Sequence, residues 1–163
     1  MNSISVTSVV SEAKRGLSGD GALNQKDFRF STILKVRIGD INYGNHMGNE
    51  AFIQFFHEAR IQYLAQFSLS EKDIGHGVGL ILTEINCDLK AEVFYGDELE
   101  VFVQVSELKR SRFTMIYQIV RKSDDKLVSS GYTTLAAFDY QKKKPVPLPQ
   151  TFQEAVTHFE KSG

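Results

Sequence analysis

The sequence predicts an α+β domain in which an antiparallel sheet of about five strands wraps one long helix. Three observations carry this. Residues 28–38, FRFSTILKVRI, place aromatic and β-branched side chains at alternate positions, the period-two pattern of a strand. Residues 49–67, NEAFIQFFHEARIQYLAQF, set Phe52, Phe55, Phe56, Ala59, Ile61, Tyr63, Leu64 and Phe67 in a broad apolar stripe near helical spacing. Four further strand-like runs follow, joined by the short separators FYG, KRS and SDD, and short links favour antiparallel hairpins.

Residues 1–27 read as a flexible N-terminal extension, with one short helical piece near residues 8–15. They lack the sustained apolar stretch of a secretory signal. The folded domain is therefore expected over 28–163. Its first strand runs into a loop rich in glycine and asparagine, and the helix starts at once. Gly48 or Asn49 suits the N-cap, and Glu50 in the first turn suits the positive end of the helix dipole. A connecting loop with glycines at 75, 77 and 79 leads to runs at 80–93, 97–108, 112–122 and 126–140. A Pro-marked tail and a terminal helix from residue 150 close the chain. One helix covers one face of such a sheet. The other face, or an edge, is left for a second subunit, so a homodimer or homotetramer is expected.

The 163 residues suit a single domain, and a net charge of −1 argues against binding nucleic acid through broad electrostatics. The single cysteine, Cys87, excludes an intrachain disulfide and a multi-cysteine metal cluster, and fits a cytoplasmic, reducing location. No stretch approaches the ~20 apolar residues of a membrane span. No metal site is expected.

The densest polar cluster is residues 39–52, GDINYGNHMGNEAF, with three asparagines, three glycines, Asp40 and His46 at the mouth of the helix. This segment resembles the strand-end signature of the hotdog-fold acyl-CoA thioesterases, in their 4-hydroxybenzoyl-CoA thioesterase and YbgC-like branch. FFHEAR at 55–60, YGDELEV at 95–101 and KKKPVPLP at 142–149 resemble other segments of that family in the same order. The resemblance covers roughly residues 28–150. It implies a hotdog sheet around a central helix and active sites at a subunit interface. It also implies a substrate with a pantetheine arm, either acyl-CoA or acyl carrier protein, and no separate cofactor.

The resemblance places the thioester carbonyl at the N-terminus of the central helix. There the first N–H groups lack an intrahelical partner and carry partial positive charge. The N–H of Gly48 or Asn49 is the expected oxyanion donor, with Asn45 beside it. The branch usually carries its catalytic aspartate where this chain has Asn42, and an amide near neutral pH is neither nucleophile nor base. Three groups are open as substitutes. Asp40 would share a face with Asn42 if the strand continued through both. Glu58 lies on the helix itself. His46 is the residue type that gains and loses a proton near neutrality.

Each also has a structural reading. Asp40 suits a turn, Glu58 with Arg60 suits a structural ion pair, and His46 suits a loop tie. His57 and His158 suit polar helix faces, and His76 suits its glycine loop. Cys87 reads as a packed small hydrophobe in its strand. Lys109, Arg110, Arg112 and residues 142–144 are candidates for CoA phosphates or for solvated hairpin ends. Hydrolysis of an acyl thioester is the leading expectation. A thioester-binding protein that does not hydrolyse is the alternative, because of Asn42, and another hotdog enzyme such as a dehydratase ranks third.

Overall fold

The computed structural model describes residues 23–162. The expected helical piece near residues 8–15 and most of the N-terminal extension lie outside them. Residues Gln25–Asp27 form a turn of 3-10 helix, and Phe28 packs its ring on Phe102 at 5.8 Å.

Strand β1 (Phe30–Lys35) leads through a 3-10 turn (Ile38–Asp40) to helix α1 (Asn49–Ala65). Strands β2 (Gly79–Leu89), β3 (Glu98–Leu108), β4 (Arg112–Arg121) and β5 (Lys126–Asp139) follow. The short β6 (Lys144–Pro145) pairs with β5, and helix α2 (Gln150–Lys161) ends the described chain. The sheet is antiparallel in the order β1-β3-β4-β5-β2.

Two of the three expected hairpins form. The third does not. β2 pairs with β5 and not with β3, so residues 90–97 cross from one edge of the sheet to the partner of β1. β2 stops at Leu89, short of the expected 93, because the chain finds other partners. The N–H groups of Lys90 and Ala91 both donate to the Val128 carbonyl, and the Arg121 guanidinium takes the Glu92 carbonyl. The first strand also ends early, at Lys35, where Val36 and Asp97 begin a loop-to-loop contact.

α1 lies on the inner face of the sheet. Phe52, Phe55, Phe56, Ala59, Tyr63 and Leu64 are buried against alternate residues of β3 and β4, among them Val101, Val103, Met115 and Ile119. Phe56 stacks on Tyr117 with centroids 4.5 Å apart. The apolar stripe is narrower than expected at one position: Ile61 is exposed. α2 closes the end of the core near the C-terminus of α1. Phe159 meets Tyr63 and Phe67 edge-on, and the Glu160 carboxylate accepts from the Tyr63 hydroxyl and the Val105 N–H. No helix among the described residues is long and apolar enough to cross a membrane.

Candidate active site

The loop between the 3-10 turn and α1 is fixed by its own backbone. Asn42 N–H donates to the His46 carbonyl and Asn45 N–H to the Asn42 carbonyl, and Ile41 bridges Met47. Met47 N–H reaches the Val93 carbonyl at 2.7 Å, tying the loop to the crossing segment. Asn45 has φ 64°, the left-handed region that asparagine tolerates better than most residues. The Asn42 Oδ1 accepts from the Gly44 N–H at 2.8 Å. Asn42 and Asn45 thus shape the turn, which explains two of the three asparagines without chemistry.

Asp40 does not continue a strand. It sits in the 3-10 turn, 3% exposed, and its carboxylate turns back onto Arg37. Arg37 N–H donates to Oδ2 at 2.8 Å and Nη2 to Oδ1 at 3.1 Å, while the Asp40 carbonyl accepts from Gly48 N–H. Asp40 and Asn42 therefore do not share a strand face. Burial pushes the Asp40 carboxyl up, but the hydrogen bonds and charge of Arg37 outweigh it and hold the group below the usual carboxylate range. A carboxyl lowered in the folded state contributes stability that is present above its unfolded pKa and lost as pH falls through the folded value. Asp40→Asn should therefore flatten the fall in stability below about pH 4, read as denaturant midpoints across the acid range. An acid limb identical to that of the parent chain would show that this pair does not hold the loop.

Glu58 is exposed and accepts from Gln62 Nε2 at 2.8 Å. The expected pairing with Arg60 is not formed, because the two side chains leave α1 in different directions. Arg60 is bonded instead to Glu71, with Nε to Oε1 at 2.6 Å. Glu58 stands nine residues past Asn49, about 13 Å along the axis, too far to serve a carbonyl at the helix mouth. The basic turn is farther still. Lys109 is paired with Glu107, and Lys109 N–H closes the hairpin on the Arg112 carbonyl. Lys109, Arg110 and Arg112 lie at the far end of β3 from the motif loop, roughly 33 Å away along the strand. Within one subunit they do not meet it. His57 and His158 are exposed on their helices, and His76 is exposed in its loop. Cys87 is half-buried beside Ser129, and burial pushes its thiol up.

Three groups stand out in and after the motif loop. Gly48 is the N-cap and has no side chain to offer, so the N–H groups of Asn49 and Glu50 have no cap and no intrahelical partner. His46 Nδ1 lies 3.3 Å from the Met47 carbonyl, which can only accept, so in the neutral imidazole Nδ1 carries the hydrogen. Nε2 and the Asn42 Oδ1 converge on Gly44, 2.9 and 3.1 Å from the point where a Cβ would stand. The third group is Glu50, which sequence reasoning assigned only to the helix dipole. Its carboxylate folds back over Gly48, with Oε1 2.6 Å from where a Cβ would be. The site thus has a carboxylate beside two free N–H groups, and the absence of a side chain at residue 48 makes room for it. The available signal was a glutamate in the first turn directly after a glycine N-cap.

The chain as a whole, with its helix held by an antiparallel sheet, is similar to known proteins. Of curated relatives, the chain is 30% identical over 134 residues to a 1,4-dihydroxy-2-naphthoyl-CoA hydrolase of Synechocystis, covering 80% of this chain and 96% of that one. It is 23% identical over 136 residues to the acyl-CoA thioesterase YbgC of Haemophilus influenzae, covering 82% and 98%. A solved 1,4-dihydroxy-2-naphthoyl-CoA thioesterase from Synechocystis superposes with a TM-score of 0.73 at 25% identity, over 78% of this chain and 95% of that chain. A Staphylococcus aureus protein solved in complex with CoA shares the hotdog fold at a TM-score of 0.74 and 18% identity, over 81% and 84%. The model of the thioesterase-like superfamily matches residues 36–156, which takes in the motif loop, α1 and every main strand after β1; the chain belongs to that superfamily.

Proposed function

We propose that the chain hydrolyses acyl-CoA thioesters at the N-terminus of α1, with Glu50 activating water. As a member of this superfamily it cleaves an acyl thioester to free acid and thiol. The carrying observation is the Glu50 carboxylate lying beside the uncapped N–H groups of Asn49 and Glu50. The thioester oxygen accepts from those N–H groups, which stabilise the charge that grows on it. Glu50 takes a proton from water as the water oxygen bonds to the carbonyl carbon. The C–S bond then breaks, and the proton passes to the departing thiolate. CoA enters as part of the substrate, and the reaction draws on no other cofactor. Asn42 and His46 hold the loop.

The site is read as one of a pair in a homo-oligomer. β2 is an edge strand, and Leu89 at its end is 48% exposed. An uncovered apolar edge favours pairing with a second copy. Leu89→Lys should move the sedimentation coefficient toward that of a monomer, whereas an unchanged value would place the contact elsewhere. A cytoplasmic location fits the CoA substrate and the free Cys87. The test of hydrolysis is thiol release across acyl-CoAs of graded length and with aromatic acyl groups. Binding without release for every one of them would replace this reading with that of a non-hydrolytic thioester binder.

A further inference from the structure

Between α1 and β2 runs a corridor that starts at Ile53, one turn past the helix mouth. On the helix, Asn49, Ile53, His57 and Arg60 follow at spacings of four, four and three, so they share one face. Opposite the last three stand the inner-face residues Ile85, Leu82 and Leu80 of β2. The deeper part of this corridor is a cavity of about 240 Å³ bounded by Ile53, Ile85, Leu80 and Leu135, and its far end is polar. There Arg60, 5% exposed, donates from Nε to Glu71 and from Nη1 to the Tyr117 hydroxyl at 3.3 Å. Glu71 also bonds His57 Nε2 at 2.9 Å. Among the described residues Arg60 Nη2 has no hydrogen-bond partner, although a guanidinium carries five N–H groups.

We propose that this cavity is the acyl pocket, and that Arg60 at its end selects acyl groups tipped with a neutral oxygen acceptor, a hydroxyl or a carbonyl. The inference rests on the thioesterase reading and names its substrate class. The volume sets the length. At ~30 Å³ per water-sized group, about 240 Å³ accommodates an acyl group of about eight heavy atoms. The charge sets the chemistry. Arg60 and Glu71 form a neutral pair, and Glu71 is held ionised: burial pushes its carboxyl up, but Arg60 and His57 bring it below the usual range. An acyl group ending in a carboxylate would bring an uncompensated charge to a pair that is already neutral, whereas a neutral oxygen takes the spare N–H without that cost. A methyl end would leave the donor unpaired, the situation in which sites of this kind discriminate most strongly.

The test compares kcat/KM for 8-hydroxyoctanoyl-CoA, octanoyl-CoA and the CoA monothioester of octanedioic acid. The hydroxyl substrate should exceed the other two by about tenfold or more. Arg60→Lys, which keeps the charge and loses the planar fork, should bring the ratio of hydroxyl to plain substrate near one. A structural role alone would lower all three rates together and leave the ratio intact. Ile53→Phe, at a half-exposed position that tolerates the change, should depress all three eight-carbon substrates more than acetyl-CoA. Should Arg60→Lys fail to fold, the parent ratio and Ile53→Phe decide. A parent ratio near one, a ratio that survives Arg60→Lys, or full eight-carbon activity in Ile53→Phe each overturns the proposal while leaving hydrolysis in place. No release from any acyl-CoA overturns the thioesterase reading and this inference with it.

Discussion

Glu50→Gln should lower kcat by a factor of ~10² to 10⁴, the usual contribution of a positioned general base. The amide keeps the size of the side chain over Gly48 but cannot take a proton. Because Glu50 is exposed, the melting temperature should hold, apart from a small loss of favourable interaction with the helix dipole, about 0.3–1 kcal/mol. The change should fall on kcat with KM little altered, since the N–H groups that hold the carbonyl oxygen remain. Glu58→Gln should be silent in the same assay. Asn42→Ala should cost activity through the turn it caps, and a matching loss of stability would distinguish that from chemistry. Full activity in Glu50→Gln together with its loss in His46→Ala would transfer the base to His46 Nε2.

That Glu50 escapes a reading of the sequence has a physical cause. The motif directs attention to the position where this branch keeps an aspartate, and Asn42 stands there. What the loop does with Asn42 is visible only in three dimensions, where its Oδ1 closes on Gly44 N–H. Asp40 is a similar case. Alternation predicts a strand over 28–38, which would carry Asp40 if it ran on, but Arg37 three residues earlier offers both a backbone N–H and a guanidinium, and the chain turns to meet them. The period-two and helical patterns were legible because they report burial on one face. α1 begins at the expected Asn49, and every main strand lies within its expected run or within a residue of it.

Strand order was less legible. The separator FYG looks like a hairpin turn, yet the chain crosses the sheet there, because β2 has a longer partner in β5, with ten paired positions. The polar end of the acyl corridor was equally hidden. Arg60 and Glu71 are eleven residues apart across the end of a helix, and Tyr117 is far along the chain. Local pattern pairs Arg60 with Glu58, two positions away, but residues so spaced on a helix do not face each other.

Gly131→Ala should destabilise the fold by about 3 kcal/mol, at the upper end of what overpacking usually costs. At ~2–4 °C per kcal/mol for a chain of this size, the melting temperature should fall by roughly 6–12 °C. Gly131 lies mid-strand in β5, between Tyr117 of β4 and Cys87 of β2, on the face toward α1. A Cβ there would stand 2.1 Å from the Asn86 carbonyl oxygen and 2.9 Å from the Phe56 ring. The two obstacles differ in kind. A ring can tilt or be shortened, so Phe56→Leu would relieve the second. The carbonyl belongs to the neighbouring strand and can move only if β2 moves. The double variant Gly131→Ala/Phe56→Leu should therefore recover little stability, and recovery to the level of Phe56→Leu alone would show that the ring was the whole obstacle. Displacement of β2 also has a catalytic reading, because Leu80, Leu82 and Ile85 form one wall of the acyl corridor. In Gly131→Ala protein that remains folded, KM for an eight-carbon acyl-CoA should rise more than KM for acetyl-CoA, which does not reach that wall.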